Sequence, residues 1–254
     1  MSTYQSEFEV RLPIGYADPS GRVIRQAVLR KMRGHEEALP YDADLVAGRL
    51  VTELIASCLV RLGDLAPVTA DLVRRLYSAD RNYLLLELRR VTLGDRLQAS
   101  YACPRCRAAV AVREDLSALP VSWLEEGQAL EDIHLELHDG YVDRQGERHT
   151  RLVLTLPTGA DEEFVLPMVL KDPLKAQDAL LLRCIKQFGV LSTNALEAYG
   201  VKILRDLTLG DRLRLQACFN SMTPGVDFLR RVACGACATE FEGVLDVSSF
   251  FVLG

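Results

Sequence analysis

Four cysteines stand in two pairs with the same spacing. Cys103 and Cys106 form the first pair, and Cys234 and Cys237 form the second. Two such pairs supply the four thiolates of a closed tetrahedral zinc site, a kind of site that is structural because it leaves no position open for a substrate. The pairs are much further apart than in a compact zinc ribbon, so distant parts of the chain must fold together. We therefore predict one structural zinc ion held by these four residues.

Two other interpretations of the cysteine pairs stay open. The thiols could be unliganded, or one pair could carry redox chemistry. Redox pairs are favoured at the amino end of a helix, where the thiol pKa is lowered, whereas the residues around both pairs alternate in polarity as strands do. Cys58 and Cys184 lie on apolar helical faces, which indicates core packing. We assign no role to Cys218.

The segment from His134 to His138 is a second candidate for chemistry. Alternate residues of a strand point to the same side, so His134, Glu136 and His138 could bind a metal ion, and a metal-dependent hydrolase is the enzyme alternative. A solvated polar strand face is the simpler interpretation. His35 and His149 stand alone, with no nucleophile or carboxylate placed beside them by a motif. The sequence therefore predicts no catalytic residue.

The segments around the cysteine pairs recur along the chain in the same order. Gly34 recurs as Gly159 at an offset of 125 residues, and Cys58 recurs as Cys184 at an offset of 126. The hexapeptide Thr-Leu-Gly-Asp-Arg-Leu occurs at residues 92–97 and again, 116 residues later, at 208–213. The cysteine pairs follow at an offset of 131. We predict an internal duplication whose approximate twofold axis brings the two cysteine pairs together.

Local signals predict an α+β fold with the same elements in each half. Apolar periodicity predicts helices that end at Gly63 and Gly189, and Asp172 with Pro173 is typical of a helix start. Alternation predicts a strand hairpin that carries each cysteine pair at its tip. The other predicted elements are helices over 79–91 and 194–207, each ending at a Leu-Gly-Asp turn that leads into a strand, and an N-terminal hairpin over 8–14 and 23–32. The predicted organisation is a first repeat over 1–120, an inserted β-ribbon over 121–150 and a second repeat over 151–254.

Composition argues against two classes of partner. The formal charge of −5 and a pI of about 5.5 provide no positive field that would attract nucleic acid. No stretch approaches about twenty apolar residues, so we expect no membrane insertion. The first ten residues include Glu7 and Glu9 and lack the apolar stretch of a secretory signal, so we expect the protein to be cytoplasmic where it is made.

A combination of motifs resembles one known family. The motifs are Leu-Pro-Thr-Gly-Ala-Asp-Glu at 156–162, the helix with Cys184, the Thr-Leu-Gly-Asp turns, both cysteine pairs and the closing Asp-Val-Ser-Ser-Phe-Phe at 246–251. Together they resemble the baseplate hub assembly chaperones of T-even phages. One departure is Gly235, where the first pair has Pro104; glycine also fits such a turn.

The resemblance implies a non-enzymatic role in the baseplate hub of contractile phage tails or related contractile injection systems. Its implied partners are hub, spike or tape-measure proteins. A permanent baseplate subunit and a transient assembly chaperone that is absent from the finished particle both agree with the sequence.

Overall fold

The computed structural model describes residues 7–41, 47–169, 171–246 and 250–251. In this part of the chain the fold is mixed α+β, with eight α-helices and several small antiparallel sheets. We call residues 7–118 the first half and 133–251 the second half. None of the helices in the described ranges combines the length and apolar character needed to cross a membrane.

The first half consists of a three-stranded sheet, four helices and a closing hairpin. The sheet has the order β1-β2-β3. Its strands are β1 (Glu7–Ala17), β2 (Val23–Arg30) and β3 (Leu59–Leu62). Its helices are α1 (Gly34–Glu37), α2 (Leu50–Cys58), α3 (Ala70–Arg75) and α4 (Ser78–Leu93). The closing hairpin pairs β4 (Arg96–Ala102) with β5 (Ala109–Asp115).

The elements of the second half follow the same order. A short strand, β6 (Val121–Ser122), leads into it and pairs with β10 (Gly225–Val226). The sheet strands are β7 (Ile133–Val142), β8 (Arg148–Leu154) and β9 (Ile185–Phe188). The helices are α5 (Gly159–Val169), α6 (Pro173–Cys184), α7 (Thr193–Asp206) and α8 (Leu209–Met222). The closing hairpin pairs β11 (Leu229–Ala233) with β12 (Glu240–Val244).

Three hydrophobic cores hold these elements together. One lies between the first sheet and its helices, and another lies between the second sheet and its helices. The third joins the two closing hairpins to α4 through residues from both halves. Its buried members are Leu86, Leu97, Ala99, Tyr101, Leu116, Leu119, Val232, Leu245 and Phe250. The closing hairpins of the two halves are therefore packed against each other.

Several predicted elements are confirmed. The N-terminal hairpin, both cysteine-bearing hairpins and the helices expected over 79–91 and 194–207 are present. Asp172 caps α6 by accepting a hydrogen bond from the Lys175 amide, and Pro173 occupies its first turn.

The helices that carry Cys58 and Cys184 end earlier than predicted. The apolar residues after each cysteine form β3 and β9, the third strands of their sheets. A short apolar run suits a buried strand as well as a helix, and pairing with β2 or β8 decides between them. Gly63 and Gly189 do adopt left-handed conformations, with φ of 55° and 54°, but they follow strands. The apolar periodicity that predicts the first of these helices begins at Leu45 and Val46, which lie outside the described residues.

The repeated hexapeptide takes two different structures. Residues Leu93 and Gly94 end α4, and Gly94 has a φ of 87°. In the second copy Thr208 begins α8 by accepting a hydrogen bond from the Asp211 amide, so the predicted turn into a strand is wrong there. The identity at an offset of 116 residues therefore does not mark corresponding positions.

The structural counterpart of Asp211 is Asp80. Each lies in the first turn of a long helix and accepts hydrogen bonds from a bulge in the first strand of its sheet. Asp80 accepts from the amides of Ile14 and Gly15 at 2.8 Å. Asp211 accepts from three amides of β7, those of His138, Asp139 and Gly140, at 2.7–3.0 Å. These contacts fix each long helix on its own sheet.

The ribbon predicted over 121–150 is part of the second sheet. β7 and β8 pair with each other, and β8 also pairs with β9. The expected boundary between Thr150 and Arg151 falls inside β8. Along the chain, the segment that contains β6 links the first half to the second.

Candidate metal centre

Each cysteine pair lies in a tight turn at the tip of its hairpin. The Cys103 amide donates to the Ala108 carbonyl, and the Arg107 amide donates back to the Cys103 carbonyl, both at 2.9 Å. The second turn repeats these two bonds, from Cys234 to Thr239 and from Ala238 to Cys234.

The residue after the second cysteine of each pair is left-handed. The φ angle is 60° at Arg107 and 55° at Ala238, conformations that residues other than glycine rarely adopt. Each turn thereby curls its backbone amides toward the sulfurs. Neither Arg107 nor Ala238 was singled out by the sequence; a residue other than glycine gives no signal of a left-handed angle.

The two turns bring all four sulfurs together. The Sγ atoms of Cys103 and Cys237 lie 3.6 Å apart, as do those of Cys106 and Cys234. All four lie within 4.8 Å of one another. Zn–S bonds of about 2.3 Å place tetrahedral sulfurs about 3.8 Å apart, whereas a disulfide requires about 2.05 Å. The donor set thus fits a tetrahedral thiolate-bound metal ion.

The hydrogen bonds in the two turns and the contacts between the sulfurs shift the pKa values of three of the thiols. A hydrogen bond from the Cys106 amide lowers the pKa of Cys103, and the hydroxyl and amide of Thr239 lower that of Cys237 to about 6. The Ala108 amide also lowers the pKa of Cys106, but contacts with Cys237 and the other thiols raise it to about 12. Four negative charges this close require a compensating positive charge. A divalent cation would offset two of these four charges.

The third core supports the bases of both hairpins. Tyr101 of β4 packs against Gly243 of β12, where a Cβ atom would lie 2.7 Å from the tyrosine ring. The Tyr101 hydroxyl donates to Glu114 at 2.7 Å. Cys103 and Cys234 are buried beside this core, whereas Cys106 is exposed and Cys237 is partly exposed. The site is therefore rigid at its base and lies at the protein surface.

The second candidate segment lies on a solvated face. His134, Glu136 and His138 are all exposed on β7. They do not belong to any group of potential ligands found among the described residues. His138 instead contacts the neighbouring Asp139 carboxylate at 3.1 Å. Cys58 and Cys184 are buried in the two sheet cores or at their edges, away from the four clustered sulfurs.

One cluster was not predicted from the sequence. Asp143, Glu147 and His149 lie close enough together to hold a metal ion. The Asp143 carboxylate already accepts hydrogen bonds from the amides of Gln145 and Glu147 and contacts His149 Nε2 at 3.0 Å. The His149 contact and these amides lower the pKa of Asp143. The cluster therefore stabilises the β7–β8 turn, which an Asp-x-x-Gly sequence could have signalled.

The sequence was compared with known proteins. Neither the curated proteins nor the solved structures contain a match. Residues 38–252, which include all four clustered cysteines and most of both halves, match a family model. The chain belongs to the family described as T4 bacteriophage base plate protein.

Proposed function

We propose that this protein is a non-enzymatic structural or assembly component of the baseplate hub region in a contractile tail or contractile injection system. The observation that carries the proposal is the family match over residues 38–252. Its partners are then hub, spike or tape-measure proteins, and the charge of −5 argues for protein partners over nucleic acid.

The second part of the proposal is that Cys103, Cys106, Cys234 and Cys237 bind one structural zinc ion. The spacing of the sulfurs and the all-thiolate donor set support zinc. Because two ligands come from each half, the bound ion would couple the closing hairpins to each other and fix the relative position of both halves.

We further propose that the two halves arose by duplication. The common order of elements supports this, as do the matching bulge contacts of Asp80 and Asp211. The proposed division places the first repeat at about 1–120 and begins the second repeat at β7, so that residues 121–132 form the connection.

A metal-dependent hydrolase that uses His134, Glu136 and His138 is the rival function. The exposure of these three side chains on one strand face favours the scaffold role. Zinc stoichiometry and X-ray absorption discriminate between the two, since one zinc per chain with only sulfur neighbours leaves no metal for the histidines.

The assembly role is tested in the complete tail-producing system. We expect the protein to form a stable complex with a hub, spike or tape-measure component, and Cys103→Ser or Cys234→Ser to lower the yield of tails. The matched variant His134→Ala with His138→Ala should leave assembly intact. If that variant abolished assembly while it remained folded and zinc-loaded, a second functional site on β7 would replace the pure scaffold role. Mass spectrometry of purified particles then separates a permanent subunit from a transient chaperone.

A further inference from the structure

A cleft in the first half holds the first turn of α5. Its floor is Arg81, whose side chain is 2% exposed and whose Nη1 atom donates to Thr52 Oγ1 at 2.9 Å. Arg81 Nε donates to Glu162 of α5 at 3.0 Å. Glu163 of α5 accepts a hydrogen bond from Thr52 and lies 2.8 Å from Arg74 Nε. An acidic helix start from the second half thus fills the cleft.

The corresponding cleft of the second half is open. Arg212 takes the place of Arg81 and donates to the carbonyl of Leu204, as Arg81 does to that of Val73. Arg205 takes the place of Arg74, but its side chain is 50% exposed. An open pocket of about 360 Å³ lies here, lined by Asp172, Leu174, Asp178, Arg205 and Arg212, all of the second half.

The two clefts differ in whether the carboxylate comes from the docked helix or from the cleft itself. In the first half the docked helix supplies it as Glu163, and the cleft offers the neutral Thr52. In the second half the cleft supplies it as Asp178, which accepts hydrogen bonds from Arg205 at 2.9 Å and Arg212 at 2.7 Å. A helix that fits the open cleft therefore needs an uncharged residue where α5 has Glu163.

The first half contains a helix start with this property. Gly34, Glu37 and Ala38 stand at an offset of 125 residues from Gly159, Glu162 and Glu163, so the uncharged Ala38 replaces Glu163. All three are exposed in this chain. Glu37 is the acidic residue that this helix start retains. It corresponds to Glu162, which binds Arg81. The partner of Glu37 would be Arg212.

Gly34 provides an independent argument. At its counterpart Gly159, a Cβ atom would lie 2.3 Å from Arg81 Nη1, so glycine is required for the close approach. At Gly34 a Cβ atom would meet nothing within 4 Å, and its φ angle is outside the left-handed region. Within the part of the chain that the structure describes, neither packing nor backbone conformation explains this glycine. A close approach to the Arg212 guanidinium of another molecule would explain it.

We infer that the protein associates head to tail, with the helix start at residues 34–38 of one copy in the open cleft of a second copy. This contact between two copies reproduces the contact that α5 makes with the first half inside one chain. Because it joins two different surfaces, it generates either a closed ring or an open filament. The inference rests on the geometry of the two clefts and is independent of the zinc ion and of the baseplate role.

Sedimentation velocity of the complete, zinc-loaded protein over a wide concentration range tests the inference. Wild-type protein should form larger species as concentration rises. Glu37→Arg places a cation opposite Arg212, and Gly34→Leu blocks the close approach. Each should weaken association about tenfold or more, since like charges and lost complementarity at an interface cost at least that much. Among the described residues, a Cβ atom at Gly34 meets nothing within 4 Å and the Glu37 side chain is exposed, so the thermal midpoint should not fall.

A compensating pair makes the test specific. Ala38→Glu should weaken association because it faces Asp178, and Ala38→Glu with Asp178→Thr should restore it by recreating the combination in the first cleft. Glu7→Arg, at an exposed position on β1, is the matched control and should leave association unchanged. A protein that stays monomeric at every concentration overturns the inference. So does association that is as strong in Gly34→Leu and Glu37→Arg as in the wild type.

Discussion

At the scale of single residues, short acids perform most of the long-range positioning. Asp80 and Asp211 join the two long helices to the two sheets, and each is almost fully buried. Their surroundings nevertheless shift their pKa values in opposite directions. Burial raises the pKa of Asp80 to about 6, more than the amides of Ile14 and Gly15 lower it. Burial also raises the pKa of Asp211, but three amide donors outweigh it and the net pKa is lowered.

These shifts predict opposite pH dependences of stability. The folded pKa of Asp80 exceeds its ordinary 3.8, so its contribution is fully present below that pH and is lost as the pH rises through 6. Raising the pKa of Asp80 from 3.8 to about 6 corresponds to about 3 kcal/mol of folding stability. We expect Asp80→Asn to remove this loss. The folding stability that Asp211 contributes is present above its ordinary pKa and is lost as the pH falls. Asp211→Asn should therefore make folding stability depend less on pH in the acid range.

Urea unfolding of the wild type and both variants between about pH 2 and pH 7.5, a range that extends below the ordinary carboxyl pKa of 3.8, measures these effects. Release of a bound metal at acid pH affects all three proteins equally and cancels in the differences. Identical pH profiles for the two variants would show that the two carboxylates are equivalent.

The cysteines belong to the same scale. Cys103→Ser removes a thiolate donor, so we expect purified protein to lose most of its zinc and to unfold at a lower temperature. Cys58→Ala is the matched control, because Cys58 is buried in the first sheet core, outside the sulfur cluster. It should lose some packing energy and keep one zinc per chain. Metal analysis of both proteins decides the outcome, and full zinc loading of Cys103→Ser would contradict the ligand assignment.

At the scale of elements, the contact of α5 with the first half links the two sheet cores. Gly159 is the point of closest approach, directly against the buried Arg81. The guanidinium cannot move aside, because Thr52, Glu162 and the Val73 carbonyl all bind it. The stability of this helix start therefore depends on the absence of one side chain.

Gly159→Ala tests this contact. The added Cβ atom would overlap Arg81, and overpacking of this kind costs roughly 1–3 kcal/mol. Gly34→Ala is the matched control at the corresponding position, where the added atom meets nothing and should be neutral or slightly stabilising. Denaturant unfolding gives both free energies. Equal effects of the two substitutions would mean that α5 does not bind as described.

At the scale of the whole molecule, three hydrophobic cores stabilise the described residues, and the third includes residues of the hairpins that carry the cysteine pairs. A bound metal would join hairpins from both halves. Its removal should therefore loosen both hairpins together, because neither can keep its place without the other.

Hydrogen exchange before and after chelation measures this coupling. Amides of β4, β5, β11 and β12 should lose protection in parallel, while those of β1–β3 and β7–β9 change little. The matched measurement is chelator added to metal-free Cys103→Ser, which should have no further effect. Loss of protection in one hairpin alone would mean that the metal does not join the halves.

The sequence by itself determined the local elements of the candidate site. The cysteine spacing and the alternating residues around it predicted both hairpins, and the family match agrees with the resemblance seen in the motifs. These features follow from turns and strand pairs between residues near in sequence. That the bound ion is zinc, and that the halves are duplicates, remain predictions.

Identical segments of the sequence adopt different secondary structures because of contacts that are visible in the tertiary structure alone. Residues 92–97 and 208–213 are the same, yet the first copy ends a helix and the second begins one. The Asp211 carboxylate accepts from three amides of β7, whereas the Asp95 carboxylate accepts from Arg90 of the helix that it follows. In the same way, nothing local shows that α5 fills one cleft and leaves its counterpart open. Both outcomes depend on contacts between residues that are distant in the chain, and such contacts leave no periodic signal in the sequence.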